Sequence, residues 1–324
     1  MKSIRDLMLT DTTTSTTQLS EMQGQDWVEK VVEYGEALRR FDQAAIINDW
    51  MVGKGDTTVT IPKSTSHLTI TKSKSEGSDR TMTEMSNLDT VSLTVSASSF
   101  HSGGIAISKE IATTSRVDLI AQARFAIAEE LAQDVDTSLA TAFQATSITN
   151  VVFGDSTATD PSGLGAGDVI TADLVVDAGT DLRSYNWVPY LLFVHPIQAG
   201  QLKKDPQFNS AAEYGARDVL LKGEIGEYMG FKVIETTNAP AFASGATDTN
   251  QSSYTWGATG HVAIAVGTDR FGNNVSVALG WKEKPSIGYE YDMMSNEHRI
   301  YYDQAFATGI VQPTAVCLIK VSDA

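Results

Sequence analysis

The sequence predicts an α+β protein in which strands surround one long helix. Three observations support this fold class. Residues 116–145 contain neither glycine nor proline and repeat apolar residues at helical spacing, residues 53–107 alternate apolar with small polar residues, and short apolar stretches separated by turn residues follow residue 259. Spacings of three to four residues indicate a helix, whereas a spacing of two indicates half-buried strands. Because a mixed helix and strand module lies between two parts of a sheet, we expect the α+β class.

The predicted helix at 116–145 is the central element of the chain. Ser115 is placed to cap its first turn, and at 1.5 Å per residue the helix would be roughly 45 Å long. A helix of this length is expected to act as a scaffold for the sheets. Its polar face is predicted to be solvated and consists of Gln122, Glu129, Glu130, Gln133 and Asp136.

Residues 53–107 are predicted to form a long two-stranded segment that extends from the body of the protein. Strands are predicted at 58–61, 67–70 and 91–95, and residues 72–87 between them are polar and charged. This segment has too few apolar residues to bury a core, and an isolated hairpin is marginally stable in water. We therefore expect it to find partners outside its own domain.

The rest of the chain is predicted to form a mixed module and then late strands. A loop at 147–167 precedes a helix capped by Asp168, and Cys317 lies in an apolar run where a buried thiol is expected. The further predicted helices are 197–203 and 211–221, and the further predicted strands are 188–194, 231–235, 261–266, 275–281, 287–291, 298–310 and 315–321.

Composition narrows the classes of function. The 324 residues carry a formal net charge of -16, and Lys and Arg form no cluster that would neutralise phosphates. This argues against affinity-driven binding to nucleic acid. No stretch of eighteen consecutive apolar residues or secretory signal is present, and the single cysteine cannot form an internal disulfide. We expect a protein made in a reducing cytoplasm, with no membrane partner.

The sequence contains no clear catalytic constellation. The histidines are isolated from one another, without the spacing of a metal site, and we predict no metal, no cofactor and no catalytic residue. His195, before Pro196 at a predicted strand end, is the position that an enzyme would be expected to use. A hydrogen-bonded structural imidazole is the alternative.

Three stretches carry a resemblance to a known family. They read LLFVHPIQAGQLKKDPQF, YGARDVLLKGEIGEYMGFKVIET and QAFATGIVQPTAVCLIKV, and together with the order of elements they resemble the major capsid proteins of tailed bacteriophages, which have the Hong Kong 97 capsid fold. The resemblance implies a particular division of the chain. Its parts are an N-terminal arm (1–52), an extended β-hairpin loop (53–107), a peripheral domain (108–167) with a spine helix (116–145), a central axial domain (168–258) and late strands returning to both sheets (259–324).

The resemblance also implies a structural role, with assembly as pentamers and hexamers into an icosahedral virion shell around double-stranded DNA. Implied partners are a portal and a separate scaffolding protein, with a decoration protein as a further candidate, and assembly is implied to take place in the host cytoplasm. Some relatives crosslink covalently, yet no pattern singles out a pair among Lys63, Lys72, Lys74 and Asn273-Asn274. The implied interface residues are Trp27, Arg39 and Arg40 on the arm and Lys74, Glu76, Asp79 and Arg80 at the loop tip.

Two alternatives remain open on the sequence. One is a shell protein of an encapsulin-like nanocompartment, which would hold a cargo enzyme instead of DNA. The other is an acidic α+β enzyme with a site near His195, which would be a monomer or small oligomer.

Overall fold

The described part of the chain forms two large sheets, a two-stranded hairpin and three α-helices. A computed structural model describes residues 39–64, 88–110, 119–155, 157–205, 227–228 and 230–323. The helices are α1 (Leu119–Ala142), α2 (Ala172–Ser184) and α3 (Pro196–Lys204). The strands are β1 (Ala45–Asn48), β2 (Thr58–Ser64), β3 (Leu88–Thr94), β4 (Phe100–Ser108), β5 (Val151–Phe153), β6 (Val188–Val194), β7 (Glu227–Tyr228), β8 (Phe231–Glu235), β9 (Ala241–Phe242), β10 (Gly260–Thr268), β11 (Val277–Asp292), β12 (Glu297–Ile310) and β13 (Val316–Ser322).

The four-stranded sheet has the order β1-β11-β12-β4. Its centre is the antiparallel pair β11 and β12, which runs from Val277 opposite Ile310 to Asp292 opposite Glu297. β1 pairs with β11 in parallel at one edge, and β4 pairs with β12 antiparallel at the other. The sheet therefore joins residues from the beginning, the middle and the end of the chain.

The seven-stranded sheet has the order β5-β13-β10-β6-β8-β7, with β9 paired to the start of β10. Its central strands are entirely buried: each residue of β10 and of β13 is shielded from solvent. One face packs on α2 and α3, through a cluster that includes Val175, Leu182 and Leu202. Because both faces are covered, the strands need not alternate apolar and polar residues.

Helix α1 connects the two sheets. The first half of its buried face, around Ile127 and Leu131, packs on β4 and β12. The second half, around Val135 and Leu139, belongs to a cluster that also contains residues of both sheets, such as Phe193 and Trp281. The predicted scaffold role of the helix is confirmed by these contacts.

The helix ends earlier than predicted. Helical structure stops at Ala142 instead of residue 145, while residues 116–118 and Ser115 lie outside the described residues. Asn250, from a distant loop, donates its side-chain amide to the carbonyls of Ala145 (2.8 Å) and Ile148 (3.0 Å). These carbonyls are therefore satisfied without further helical turns.

Three other local predictions were wrong. Helix α2 is capped by Thr171, whose hydroxyl accepts the N–H of Leu174, whereas Asp168 accepts the N–H of Gly165. The strands predicted at 275–281 and 287–291 form one continuous strand, β11. Pro285 does not end this strand, because it lies where the pairing with β12 shifts register. The loop predicted at 147–167 contains β5, which pairs with β13. The predicted strand 67–70 and helix 211–221 lie outside the described residues.

Candidate functional site

The point where the N-terminal segment joins the body is fixed by one buried carboxylate. Asp136 of α1 is 0% exposed, and its Oδ1 accepts the backbone N–H groups of Arg40 (2.9 Å) and Phe41 (3.0 Å). Its Oδ2 accepts from the side-chain amide of Asn238 (3.1 Å). The prediction that Asp136 is solvated was wrong, because donors distant in sequence surround it. The carboxylate therefore fixes the backbone of Arg40 and Phe41 against α1.

The predicted interface residues fall partly on the described structure. The Arg39 guanidinium lies 6.0 Å from the ring centroid of Trp281 and 3.7 Å from the Asp42 carboxylate, so it packs on its own chain. Arg40 is exposed. The remaining predicted residues lie outside the described part of the chain and are Trp27, Lys74, Glu76, Asp79 and Arg80.

The root of the β2–β3 hairpin is packed against the four-stranded sheet. Leu93 is 3% exposed and lies over two glycines of that sheet. A Cβ atom at Gly309 would stand 2.7 Å from a Leu93 methyl carbon, and one at Gly280 would stand 3.4 Å from the other. The glycines therefore allow the hairpin to approach the sheet closely.

Polar contacts also fix the β2–β3 hairpin at its other end, where Lys63 pairs with Asp89. The Lys63 ammonium donates to the carbonyl of Val311 (3.2 Å) and lies 3.7 Å from the Asp89 carboxylate. The Gln312 amide donates to the carbonyl of Ser64 (3.3 Å). These contacts fix the end of β2 against the segment that follows β12.

Two turns present large apolar side chains to solvent. In the first, Phe271 is 74% exposed, and Arg270 lies over its ring at 4.8 Å from the centroid. The Asp269 carboxylate accepts the N–H groups of Phe271 and Asn273 (both 2.8 Å) and the Asn273 amide (2.9 Å). The hydrogen bonds from Asn273 hold the pKa of Asp269 below its usual value.

The second turn joins β11 to β12. Met293 and Met294 are 74% and 96% exposed. The Asp292 carboxylate accepts the N–H of Met294 (2.8 Å), and this bond lowers the pKa of Asp292. Arg299 bridges Asp292 (2.8 Å) and Glu297 (2.9 Å). The backbone of this turn is therefore ordered before a partner binds, which lowers the entropic cost of forming a contact there.

His195 is a structural residue at the start of α3. Its Nδ1 accepts the N–H of Ile197 (3.3 Å), and its ring stacks on His261 at a centroid distance of 3.8 Å. His261 Nδ1 lies 2.6 Å from the carboxylate of Asp323. Burial, and next the neighbouring His261, lower the pKa of His195, with Asp323 acting in the opposite direction. The imidazole caps a helix, which is the structural alternative considered for this residue.

In the described part of the chain, the cysteine thiol is buried and the potential metal-ligating side chains lie apart from one another. Cys317 is buried as predicted, and burial raises the pKa of its thiol far above the usual value. Within the described ranges, His, Cys, Asp and Glu side chains form no group of three or more suited to a metal ion. The helices that the structure describes include none that combines the length and the apolar character needed to cross a membrane.

Comparison with known families decides the class of this protein. The family model described as phage capsid protein matches residues 90–319, which span α1 and both sheets. The chain belongs to the phage capsid protein family. Its role is therefore structural rather than enzymatic, in the capsid of a virion. No curated protein sequence matches this capsid protein.

Solved structures show the fold of the capsid protein. The cyanophage Pam1 capsid asymmetric unit matches with a TM-score of 0.66 and 15% identity, covering 96% of this chain and 97% of that one. The capsid structure of cyanophage P-SCSP1u matches at 0.65 and 13%, covering 88% and 89%. A structure from Mycobacterium phage Che8 matches at 0.61 and 18%, covering 87% and 90%. The predicted α+β fold of the Hong Kong 97 type is confirmed.

One buried cluster of the capsid protein escaped sequence analysis. The Lys320 ammonium of β13 contacts the Asp248 carboxylate and lies 3.3 Å from the side-chain oxygens of Asn250 and Gln251. The Trp256 indole N–H donates to the same carboxylate (3.3 Å). A lysine inside an apolar strand was the available signal, because a buried ammonium needs acceptors.

Proposed function

We propose that this capsid protein assembles as pentamers and hexamers into an icosahedral shell that encloses double-stranded DNA. The observation that carries the proposal is the set of large apolar side chains exposed on preorganised turns, Phe271 on one and Met293 and Met294 on another. Exposed apolar side chains of this size provide surface that contacts with other proteins can bury. Their position on two separate turns suits a subunit that neighbours contact from more than one side.

The charge of the chain supports containment of DNA without tight binding. A net charge of -16 opposes adsorption of the polyanion, and the chain has no basic cluster that would release counterions on binding. An inner surface of this kind would leave packaged DNA free to move. The resemblance of the sequence to tailed-phage capsid proteins adds a portal, a separate scaffolding protein and a possible decoration protein as partners, with assembly in the host cytoplasm.

The domain division is part of the same proposal. Residues 1–52 would form an arm, residues 53–107 an extended loop, residues 108–167 a peripheral domain and residues 168–258 an axial domain, with residues 259–324 returning to both sheets. The anchor at Asp136 and the packed hairpin root support the first two assignments, because both fix the start of a segment relative to the body.

Size-exclusion chromatography with negative-stain electron microscopy tests the proposal. The protein would be purified alone and after co-expression with the genes beside its own. Closed shells, or isolated pentamers and hexamers, are expected, and a compact monomer under every condition would overturn the proposal. Nuclease-protected double-stranded DNA inside the particles would support the virion role, whereas particles holding an enzyme cargo would indicate a nanocompartment.

A deletion variant tests the role of the loop. Removal of residues 75–80 is expected to leave a folded subunit, because the hairpin root lies outside the deletion, but to prevent stable shells. Circular dichroism reports the fold and microscopy reports the particles. Normal shells from the deletion variant would show that the loop tip is not an intersubunit element.

A further inference from the structure

We propose that two exposed turns, contributed by two copies of this chain, pack against each other in the assembled protein. The Phe271 turn (residues 269–274) follows β10, and the methionine turn (residues 292–297) joins β11 to β12. The proposal rests on the assembly proposed above and names two surfaces that would meet in it. Such a contact is head-to-tail and leaves one turn of each copy free, so further copies can add in the same way.

The two turns lie too far apart to meet within one molecule. Strand β11 (Val277–Asp292) separates them, and at about 3.3 Å per residue its 16 residues span roughly 50 Å. A bridge between Thr268 and Asn274 closes the Phe271 turn just before this strand begins, and the methionine turn follows where the strand ends. A partner for either turn must therefore come from another molecule.

The Phe271 turn presents a cation next to an aromatic ring. Arg270 is exposed, and its guanidinium lies 4.8 Å from the ring centroid of Phe271, which is 74% exposed. The adjacent carboxylate of Asp269 accepts hydrogen bonds from Phe271 and Asn273 of its own turn. Arg270 forms no ion pair with any described residue. An arginine and an aromatic side chain presented together are typical of the residues that dominate binding at protein interfaces.

The methionine turn presents apolar side chains next to an excess of carboxylates. Met293 and Met294 are 74% and 96% exposed. Alternation along the paired strands places four charged side chains on one face of this hairpin end, Glu290, Asp292, Glu297 and Arg299. Arg299 binds Asp292 and Glu297, whereas the exposed Glu290 has no ion pair among the described residues. Lys109 and Glu110, which follow β4 beside this turn, carry opposite charges and leave the excess unchanged.

The two turns are complementary in charge and in apolar character. Arg270 of one copy would face the Glu290 carboxylate of the next, and the Phe271 ring would pack on the methionine side chains. A thioether sulfur makes a favourable contact with an aromatic ring. This match favours a second copy as the occupant, because each turn finds its complement on the same chain. In a chain with a net charge of -16, a guanidinium placed against carboxylates also offsets the repulsion between subunits.

Charge variants test the proposal in the full-length chain. Arg270→Glu is expected to reduce the yield of shells about tenfold or more, because it places a carboxylate against Glu290. The exchange Arg270→Glu with Glu290→Arg is expected to restore most of the yield. Lys204→Glu makes the same change in net charge at the exposed end of α3 and is expected to retain shells.

Negative-stain electron microscopy measures the shells, and thermal unfolding followed by circular dichroism verifies that each subunit folds. Wild-type shell yield from Arg270→Glu would overturn the proposal. A reduced yield that the added Glu290→Arg exchange does not restore would overturn it as well.

Photocrosslinking provides an independent measurement. Benzoylphenylalanine at position 271 would be irradiated in assembled material, and the products would be mapped by mass spectrometry. We expect intermolecular crosslinks to residues 292–297 of a second copy. Shells in which position 271 crosslinks only elsewhere, or to another protein, would overturn this contact but leave the shell function intact, whereas a chain that stays monomeric under every condition would overturn both.

Discussion

Lys320 and Asp248 form an ion pair in which neither side chain has any exposed surface. The pair connects the central strand β13 to the loop that carries Trp256. Burial lowers the pKa of the Lys320 ammonium, and the hydrogen bond that this ammonium donates to Asp248 opposes the shift. The loop is thus held to the sheet by a contact that only the charged forms make well.

We predict that Lys320→Met destabilises the subunit by about 3–5 kcal/mol, because it leaves the Asp248 carboxylate buried without a cation. The double variant Lys320→Met, Asp248→Asn should lose less, since the asparagine carries no charge and still accepts from Trp256. Urea unfolding of the unassembled subunit measures both. Equal losses in the single and double variants would show that the charge of Asp248 is not what makes the single variant unstable.

The Asp136 anchor gives a second prediction. Asp136→Ala leaves the buried N–H groups of Arg40 and Phe41 without their acceptor and should cost about 2 kcal/mol or more. Asp136→Asn should cost less than Asp136→Ala, because the asparagine oxygen still accepts both N–H groups, but as a neutral and therefore weaker acceptor. Exchanging the two groups, as Asp136→Asn with Asn238→Asp, should restore stability in denaturant unfolding. A double variant no more stable than Asp136→Asn would contradict this assignment of donors and acceptors.

Two glycines should respond in opposite ways to substitution by alanine. At Gly260 a Cβ atom would lie 2.0 Å from the carbonyl oxygen of Val321, so Gly260→Ala should destabilise by about 1–3 kcal/mol. At Gly200, inside α3, no described atom beyond the adjacent residues and the helix's own backbone lies within 4 Å of the added carbon. Gly200→Ala should therefore stabilise by about 0.5–1 kcal/mol through the lower entropy of the unfolded chain. Melting temperatures of the two variants check both signs.

The pH dependence of stability should reflect His195. Its pKa in the fold is lower than the ordinary value of 6.5, so the unfolded chain binds a proton more readily than the folded one. Stability is therefore expected to fall as the pH drops through 6.5 toward the lower folded pKa, and protonation also removes the acceptor for Ile197. Of the charged groups near His195, His261 lowers its pKa further and Asp323 raises it. Both residues remain in the variant that is compared below.

His195→Asn can still cap α3 but does not titrate in this range. The difference in unfolding free energy between pH 7.5 and pH 5.5 should be smaller in this variant than in the wild type. Hydrogen exchange at the start of α3 locates the effect. An unchanged difference would assign the acid sensitivity to other groups.

The local sequence pattern was sufficient to predict many of the helices and strands. The predicted bounds of β6 (188–194) and β8 (231–235) agree with the structure, because β6 is an apolar run and the short strand β8 directly follows Gly230. The pairing of strands that are distant in the chain could not be predicted from the local sequence. The strand β5 is only three residues long and exists through its partner β13, and the continuity of β11 through Pro285 depends on irregular pairing with β12.

The candidate site was less predictable for a similar reason. Asp136 has the same sequence environment as the exposed carboxylates of α1, and only donors about a hundred positions away in the chain distinguish it. The exposure of Phe271 depends on the turn that Asp269 organises. The edge status of β4 follows from sheet order, which the alternation of residues does not determine.

The position of β13 has a consequence for synthesis. β13 is made after β5 and β10, yet it lies between them and pairs with both. A nascent chain released from the ribosome only as far as β12 still lacks the middle of its largest sheet, and its long-range contacts cannot form. The core of this sheet therefore closes only when β13 inserts between two strands that precede it in the chain. A folding intermediate that lacks β13 would expose the facing edges of both β5 and β10.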